Sequence, residues 1–395
     1  MSWVEGADEG PFGLDNLALG AAGGRCLVAI GDHALDATAA EADGLRLGDD
    51  TFCEGGTWDA LIAAGPAAWA RLREALTEAL GRTDDRLRPH LCPRAGLAHA
   101  MPWTVAEFTD FYAGRHHAEN VGTMFRGPET ALPPNWLHMP IGYNGRASSV
   151  VISGTPVRRP WGQVKGPDDA MPRLAPSARF DFELELGAIV GVPSDRPLDA
   201  EEAEGHIFGY VLLNDWSARD IQAWEYQPLG PFQSKATATT ISPWIVMAAA
   251  LEPYRAPAPE REVPLLPHLA TDRGAHEIDL SVTLVPEGGA PAEITRTNAR
   301  HLTYSAAQQL AHHTTCGCPM RSGDLLGSGT ISGPERDERG SMLELSWGGA
   351  EPLSVCEAIR SFLEDGDTVS FTGTAGGRIG FGTCTGTVRP APARP

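Results

Sequence analysis

The chain has 395 residues, of which 42% are hydrophobic and 21% are charged, and its formal net charge is −20. These values are typical of a soluble globular protein with a substantial core and two or three domains. The negative charge argues against nucleic acid and anionic membrane surfaces as partners, because both bind clustered lysine and arginine. A small-molecule substrate is the expected partner.

Cysteine usage and the N-terminus predict a cytoplasmic protein. The seven cysteines are odd in number and scattered, so they do not form a disulfide framework. The first residues have neither a basic nor an apolar signal region. The longest uncharged apolar run, 241–251, is too short to span a bilayer.

Residues 1 to about 100 predict a small β domain interrupted by one helix. Short apolar clusters such as 25–30 are typical of strands, whereas Pro66, an apolar stripe and Gly81 indicate a helix over 66–81. Prolines near residue 100 and weak periodicity predict a domain boundary there, which gives domains 1–102 and 103–395.

A second helix is predicted to start at Thr104, because Glu107 follows three residues later as in a capping box. Continued through residue 117, it would place Asp110 and His117 on one face, as a carboxylate ligand and a general base. The alternative is a surface aspartate and a surface histidine.

The stretch from Phe180 to Thr239 predicts a metal site. Alternation over 180–190 predicts a strand that carries Glu183 and Glu185 on one face, about 6.6 Å apart, and an apolar run over 205–213 delivers Asp215. Oxygen ligands of this kind suit Mg²⁺ or Ca²⁺. The alternative is that both glutamates lie on the solvated face of a half-exposed strand.

Lysine is scarce, since only Lys165 and Lys235 occur among 31 basic residues. A compact ammonium can approach an oxyanion where a planar guanidinium is too broad, so Lys235 is a candidate for the site. The alternative is that either lysine is incidental.

Two other patterns are weaker. His312, His313, Cys316 and Cys318 do not match the separated ligand pairs of zinc modules. The glycines of 376–382 lack the strand-to-helix context of a phosphate loop and predict a tight β turn instead.

Several long strings resemble the fumarylacetoacetate hydrolase family over nearly the whole chain. They are TDFYAGRHHAENVGTMFRG at 109–127, PNWLHMPIGYNGRASSVVISGTPVRRPWGQ at 134–163, NDWSARDIQAWEYQPLGPFQSK at 214–235, SGTISGPE at 328–335, GSMLELSW at 340–347 and RIGFG at 378–382. The first hundred residues match weakly, and the residues at positions 113–114 and 233–234 differ from those of the family's motifs.

The resemblance implies a role for each matching position. The implied metal site comprises Asp110, Glu183, Glu185 and Asp215, with Lys235 and Thr239 beside it. His117 is implied as general base, Glu344 as the acid that orients it, and Arg219, Gln222 and Lys235 as oxyanion donors. The implied substrate-binding residues are Tyr112, Arg126, Gln222, Tyr226 and Thr330.

The family also implies a fold and a reaction. The fold is mainly β, with a small SH3-like N-terminal barrel and a larger C-terminal β-roll catalytic domain, and the assembly is a homodimer. The reaction is metal-dependent hydrolysis of 4-fumarylacetoacetate to fumarate and acetoacetate, which ends tyrosine and phenylalanine catabolism.

Two alternatives compete with this interpretation. The first is a hydrolase, decarboxylase or isomerase of the same superfamily that acts on another aromatic ring-cleavage diketo acid. The second is a non-catalytic metal-binding β scaffold, which would need neither a poised base nor a set of oxyanion donors.

Overall fold

The computed structural model describes residues 1–45 and 52–394, and in these ranges strands dominate. The strands are β1 (Leu19–Ala22), β2 (Arg25–Ile30), β3 (His33–Asp36), β4 (Leu91–Pro93), β5 (Phe108–Phe111), β6 (Gly142–Asn144), β7 (Val150–Ile152), β8 (Val157–Arg158), β9 (Trp161–Val164), β10 (Arg173–Pro176), β11 (Phe180–Asp181), β12 (Leu184–Val190), β13 (Ile207–Asp215), β14 (Ser217–Ala218), β15 (Thr239–Ile241), β16 (Trp244–Met247), β17 (Arg255–Pro257), β18 (Arg273–His276), β19 (Asp279–Val285), β20 (Ala292–Asn298), β21 (Leu325–Gly327), β22 (Leu353–Val355), β23 (Ala358–Arg360), β24 (Thr368–Ala375) and β25 (Ile379–Arg389).

The α-helices of the same ranges are mostly short. They are α1 (Ala37–Ala42), α2 (Asp59–Ala64), α3 (Pro66–Gly81), α4 (Arg115–Arg126), α5 (Ala200–Glu204), α6 (Arg219–Glu225), α7 (Ala248–Leu251), α8 (Ala306–Thr314) and α9 (Met342–Leu345). The prediction of a mainly β fold is confirmed.

One large sheet organises the molecule. Its strands run in the order β4-β3-β2-β1-β16-β13-β12-β21-β5-β6, and β15 joins β7 to the end of β13. A second sheet has the order β20-β19-β24-β25-β8. The large sheet crosses the predicted boundary near residue 102, because β1 pairs with β16. The boundary and the two domains, 1–102 and 103–395, stay predictions. Residues 46–51 and 395 of these domains lie outside the described ranges.

The centre of the large sheet is buried on both faces. Leu186 and Leu212 contribute to one apolar cluster, whereas Ile189 and Val211 contribute to a second cluster on the opposite side. The predicted strand over 180–190 is present, but it is broken into β11 and β12. The alternative of a solvated face for the two glutamates is wrong, because side chains cover both sides of the sheet.

The N-terminal helix prediction is confirmed. Helix α3 begins at Pro66 and ends at Gly81, and its apolar stripe is buried against the second cluster. The glycine turn is confirmed as well, because residues 376–378 connect the hairpin strands β24 and β25.

The helix predicted to start at Thr104 is wrong. Residues 108–111 form β5, which pairs with β21 and β6, and the next helix begins only at Arg115. Thr104 instead donates its backbone N–H to Asp59. Pairing of Phe108 and Phe111 within a buried sheet outweighs a local capping pattern, since β5 forms backbone hydrogen bonds with a strand on each side.

Two further observations concern membranes and thiols. Across the ranges described above, no helix combines the length and apolar character needed to cross a bilayer. All seven cysteines are free thiols.

Candidate active site and metal centre

Four carboxylates converge where the central strands meet. Asp110 lies in β5, Glu183 in the link between β11 and β12, Glu185 in β12, and Asp215 at the end of β13. One ligand oxygen from each residue lies within 4.8 Å of the others. Glu183 is 4% exposed and Glu185 is 0% exposed, so the cluster is buried. The predicted ligand set is therefore brought together.

A glycine makes room for this cluster. Gly327 of β21 pairs with Asp110 on one side and with Gly187 of β12 on the other. A Cβ atom at residue 327 would lie 2.5 Å from Asp110 Oδ1 and 3.0 Å from Glu185 Oε2. Any side chain at this position would displace carboxylates from the cluster.

Polar groups hold the two inner carboxylates, Glu183 and Asp215, in place. Lys235 Nζ donates to Glu183 Oε2 at 2.5 Å and to Asp215 Oδ2 at 2.6 Å. Thr239 Oγ1 and the Tyr143 hydroxyl also donate to Asp215, at 3.2 Å and 3.1 Å. The predicted placement of Lys235 and Thr239 beside the cluster agrees with this geometry.

The electrostatics of the cluster fit a divalent cation. Burial, and then the charge of Asp215, raises the pKa of Asp110 to about 8. Burial and the charge of Asp110 raise the pKa of Glu185 well above its usual range. Asp110 Oδ1 and Glu185 Oε1 have no hydrogen-bond partner among the described residues. Two buried, unpartnered carboxylate oxygens that resist ionisation are what a hard cation would satisfy.

Glu183 differs from the other three carboxylates. Burial alone would raise its pKa, but the charges of Lys235 and Arg219 lower that pKa well below the usual range. Among the residues that the structure describes, Lys235 and Arg219 are the lysine and arginine side chains that pair with these four carboxylates. When all four carboxylates are ionised, as metal ligation requires, two negative charges are left for a divalent cation to neutralise.

The second predicted pair, His117 and Glu344, also meets. His117 Nδ1 lies 2.6 Å from Glu344 Oε2, and both side chains are buried. Because an ionised carboxylate can only accept hydrogen bonds, this contact assigns the proton to Nδ1 and leaves Nε2 free to accept one. His117 lines the same cavity as the carboxylate cluster.

Tight packing sets the position of the His117 helix. Gly114 precedes α4, and a Cβ atom there would lie 2.5 Å from the Thr330 carbonyl oxygen. Glycine thus lets the first turn of α4 approach the segment 328–332. The sequence predicted that Asp110 and His117 share a helix face. This prediction is wrong, because Asp110 lies in β5 and His117 lies in α4, the helix that follows.

The Glu344 carboxylate is saturated with donors. Besides His117 it accepts from Asn120 Nδ2 at 2.9 Å, from Ser332 Oγ at 3.0 Å and from Ser341 Oγ at 2.8 Å. Burial opposes its ionisation, but the imidazole and these hydrogen bonds lower the pKa of Glu344 to about 2. The carboxylate stays ionised near neutral pH, as stabilisation of an imidazolium requires.

Arg219 and Gln222 form a third unit at the start of α6. The Arg219 guanidinium pairs with Glu183 at 2.7 Å through NH2 and donates from NH1 to Gln222 Oε1 at 3.2 Å. Because its oxygen accepts from Arg219, the Gln222 amide directs its NH₂ group elsewhere, and both side chains line the cavity. These donors lie beside Lys235, as predicted for an oxyanion site.

The cavity that these groups share has a volume of about 430 Å³. Its lining includes the predicted substrate-binding residues Tyr112, Arg126, Gln222, Tyr226 and Thr330. Thr330 Oγ1 is buried and has no hydrogen-bond partner within residues 1–45 and 52–394. A bound ligand could supply that partner.

Comparison with known proteins identifies the family. Residues 107–389 match the family described as fumarylacetoacetate hydrolase C-terminal, and residues 11–102 match fumarylacetoacetase N-terminal. A fumarylacetoacetase of Arabidopsis thaliana is 46% identical over 99% of both chains. The chain belongs to the fumarylacetoacetate hydrolase family. A fumarylacetoacetase of Caenorhabditis elegans is 48% identical over 92% of this chain and 91% of its own.

A solved structure shows that the family fold is shared. A fumarylacetoacetate hydrolase from Exiguobacterium antarcticum superposes with a TM-score of 0.55 at 16% identity, covering 95% of this chain and 99% of that chain. At this identity the likeness concerns the fold alone.

The structure adds detail to two of the predicted substrate-binding residues, Arg126 and Tyr226. Arg126 donates from Nε to the Thr130 carbonyl at 3.2 Å and from NH2 to the Ala131 carbonyl at 2.6 Å. That edge of the guanidinium is committed to the backbone, which leaves the NH1 side for a ligand. Tyr226 is 38% exposed and lies at the cavity mouth rather than in its depth.

Sequence reasoning missed several supporting residues. Tyr143 touches the cluster, and Asn120, Ser332 and Ser341 hold Glu344. Asn120 lies three residues after His117, so helical spacing could have found it. Ser341 lies three residues before Glu344 and caps its helix, so capping spacing could have found it too, whereas Tyr143 and Ser332 come from other segments.

Proposed function

We propose that the protein hydrolyses the carbon–carbon bond of 4-fumarylacetoacetate, giving fumarate and acetoacetate. The observation that carries the proposal is the meeting of the His117–Glu344 pair, a buried carboxylate cluster and three cationic or amide donors around one cavity. Relatives named fumarylacetoacetase that match over nearly the full chain support the same substrate. A non-catalytic scaffold would have no need of a poised base.

The site binds a divalent metal, and we propose Mg²⁺ or Ca²⁺ as its identity. Asp110, Glu183, Glu185 and Asp215 would hold the ion, since all four offer the hard oxygen ligands that these cations prefer. When bound, such an ion supplies Lewis-acid polarisation of a diketone oxygen. Lys235 and Thr239 hold the inner carboxylates in the orientation that ligation requires.

His117 is proposed as the general base. With its Nδ1 proton held by Glu344, the Nε2 atom accepts a proton from water, and the resulting hydroxide adds to the fumaryl carbonyl carbon. Glu344 stabilises the imidazolium that forms, because it is ionised and fixed by three other donors.

Negative charge then develops on the carbonyl oxygen, and Arg219, Gln222 and Lys235 are proposed to stabilise it. Each well-placed donor is worth roughly 3 to 4 kcal/mol in comparable oxyanion sites. Collapse of the alkoxide breaks the bond to the neighbouring methylene carbon. The electron pair leaves with the acetoacetate fragment, which then takes up a proton.

The distal substrate groups are proposed to bind the remaining lining residues. The NH1 side of Arg126 is proposed to form an ion pair with a substrate carboxylate. Tyr112, Tyr226 and Thr330 supply hydroxyl groups along the cavity. The unpartnered Thr330 hydroxyl supports a polar contact at its position.

The family resemblance supports three further proposals. The protein is proposed to be a cytoplasmic homodimer with units 1–102 and 103–395. Light scattering coupled to size-exclusion chromatography tests the assembly: twice the 42.0 kDa chain mass is expected, and a monomer mass would contradict it.

The activity is tested by the loss of fumarylacetoacetate absorbance with Mg²⁺, with Ca²⁺ and after chelation. Metal-dependent loss that disappears in His117→Ala is expected. Folded, metal-loaded protein that leaves fumarylacetoacetate intact but cleaves or isomerises another ring-cleavage diketo acid would replace the proposed substrate.

A further inference from the structure

One buried carboxylate, Asp181, connects two parts of the site without lining the cavity. Its side chain is 0% exposed and lies in β11, two residues before Glu183. It accepts four hydrogen bonds, which is the full capacity of a carboxylate in this setting. The identity of the four donors indicates what the residue does.

Two of the donors belong to the helix that carries Glu344. Met342 N donates to Asp181 Oδ1 at 2.7 Å, and Leu343 N donates to Oδ2 at 3.0 Å. These N–H groups open α9 and have no partner within the helix itself. Asp181 therefore fixes the start of the four-residue helix α9, in which Glu344 directly follows Leu343.

A third donor is the Arg219 guanidinium. Arg219 Nε donates to Asp181 Oδ2 at 2.8 Å, whereas its other nitrogens contact Glu183 and Gln222. A planar guanidinium held at three points has a fixed orientation. The fourth donor is the adjacent Phe182 N, at 2.8 Å.

We propose that Asp181 is a positioning residue that sets the geometry of the base and of the oxyanion donor together. It acts through Arg219 on one side and through α9 and Glu344 on the other. Both sides must reach the same substrate carbonyl, one through His117 and one directly. This inference rests on the proposed function and adds to it a residue that touches no reacting atom.

A matched control exists in Asp367, which precedes β24. It is also 0% exposed, it accepts from Arg360 Nε at 2.9 Å and NH2 at 3.0 Å, and it accepts a backbone N–H from Glu364 at 2.8 Å. Within the described ranges it is not part of the cavity lining. Asp181→Asn and Asp367→Asn thus make the same chemical change in similar surroundings.

The test compares kcat and KM of the two variants per folded, metal-binding site, with calorimetric titration of the metal giving the number of sites. Asp181→Asn is expected to lower kcat about 10²-fold, because displacements near 1 Å cost that much, while KM changes less. Asp367→Asn is expected to keep kcat within about twofold of wild type. Equal kcat values for the two variants would overturn the proposal.

Coupling supplies a readout that a purely structural role would not move. Because part of the Asp181 effect passes through Glu344 and part through Arg219, the double variant Asp181→Asn/Glu344→Gln is expected to lose less activity than the product of the two single losses. Losses that multiply independently would contradict the proposal. If Asp181→Asn does not fold, Asp181→Ser, which leaves room for a water molecule, is measured in its place.

A substrate-independent measurement separates this inference from the proposed function. The proton in the 2.6 Å contact between His117 and Glu344 is expected at low field in the NMR spectrum. Asp181→Asn should shift or remove this resonance, and Asp367→Asn should not. An unchanged resonance refutes the positioning role, whereas a shifted resonance in a protein that never cleaves fumarylacetoacetate refutes only the proposed substrate.

Discussion

Glu344→Gln is the perturbation that most sharply tests the proposed base. The change keeps the shape of the side chain but replaces one oxygen with an NH₂ group. In the structure the carboxylate faces donors from His117, Asn120, Ser332 and Ser341. An amide either presents its NH₂ group to His117 Nδ1 and reverses the tautomer, or presents its oxygen and leaves the imidazolium without a counter-charge.

Both outcomes weaken the same step. General-base catalysis contributes about 10²- to 10⁴-fold, and loss of the orienting carboxylate in comparable triads costs about 10⁴ in kcat. We therefore expect Glu344→Gln to lower kcat about 10³- to 10⁴-fold, which equals about 4 to 5.5 kcal/mol of activation free energy. KM should change little, since Glu344 lies behind His117 and not among the lining residues of the described chain.

The assay is steady-state loss of fumarylacetoacetate absorbance, measured well below the unfolding temperature of the variant. Glu351→Gln is the control, because Glu351 lies in the same segment but is 49% exposed and paired with Arg336. It should retain wild-type kcat. A kcat for Glu344→Gln within tenfold of wild type, or a loss confined to KM, would refute the assigned role.

Four further predictions concern the metal and the cavity wall. Chelation should lower the unfolding temperature, and adding metal at a hundredfold excess over Kd should restore about 2.7 kcal/mol; equal melting curves with and without chelator would contradict this. Without metal, the folded-state pKa of Asp110 is raised from 3.8 to about 8, so the folded protein binds more protons and the free energy of unfolding should fall as pH rises through this window. Metal affinity measured by calorimetry should rise over the same window, because ligation requires the ionised carboxylate, and a pH-independent affinity would refute the assignment. Glu225 accepts backbone N–H groups from Phe232, Gln233 and Ser234 and so closes the segment 226–232 at the cavity mouth. Glu225→Gln should raise KM several-fold while kcat stays within about twofold, and an unchanged KM would show that this wall does not contact substrate.

Three of the four proposed metal ligands were predictable because their spacing is local. Glu183 and Glu185 lie two residues apart in a strand pattern, and Asp215 ends an apolar run, so each could be recognised within its own segment. The sequence could not show that both faces of this strand are buried. That burial depends on β21, β13 and two separate apolar clusters from distant parts of the chain.

The helix predicted from Thr104 failed for a related reason. A capping pattern is a local preference worth about 1 kcal/mol, whereas β5 gains hydrogen bonds and buried aromatic surface from strands more than thirty residues away. Asp181 was visible as an acidic residue beside Glu183, but its partners Met342 and Leu343 lie about 160 residues later. No local pattern could reveal its contacts.

The most direct test of the proposed reaction is hydrolysis of fumarylacetoacetate in ¹⁸O-labelled water by the metal-loaded protein, with mass analysis of both products. Attack of water on the fumaryl carbonyl predicts fumarate that carries ¹⁸O in one carboxylate, together with one equivalent of acetoacetate, and no such products with His117→Ala. Carbon dioxide release without fumarate, an isomerised diketo acid, or fumarate without the label would contradict hydrolysis at this site.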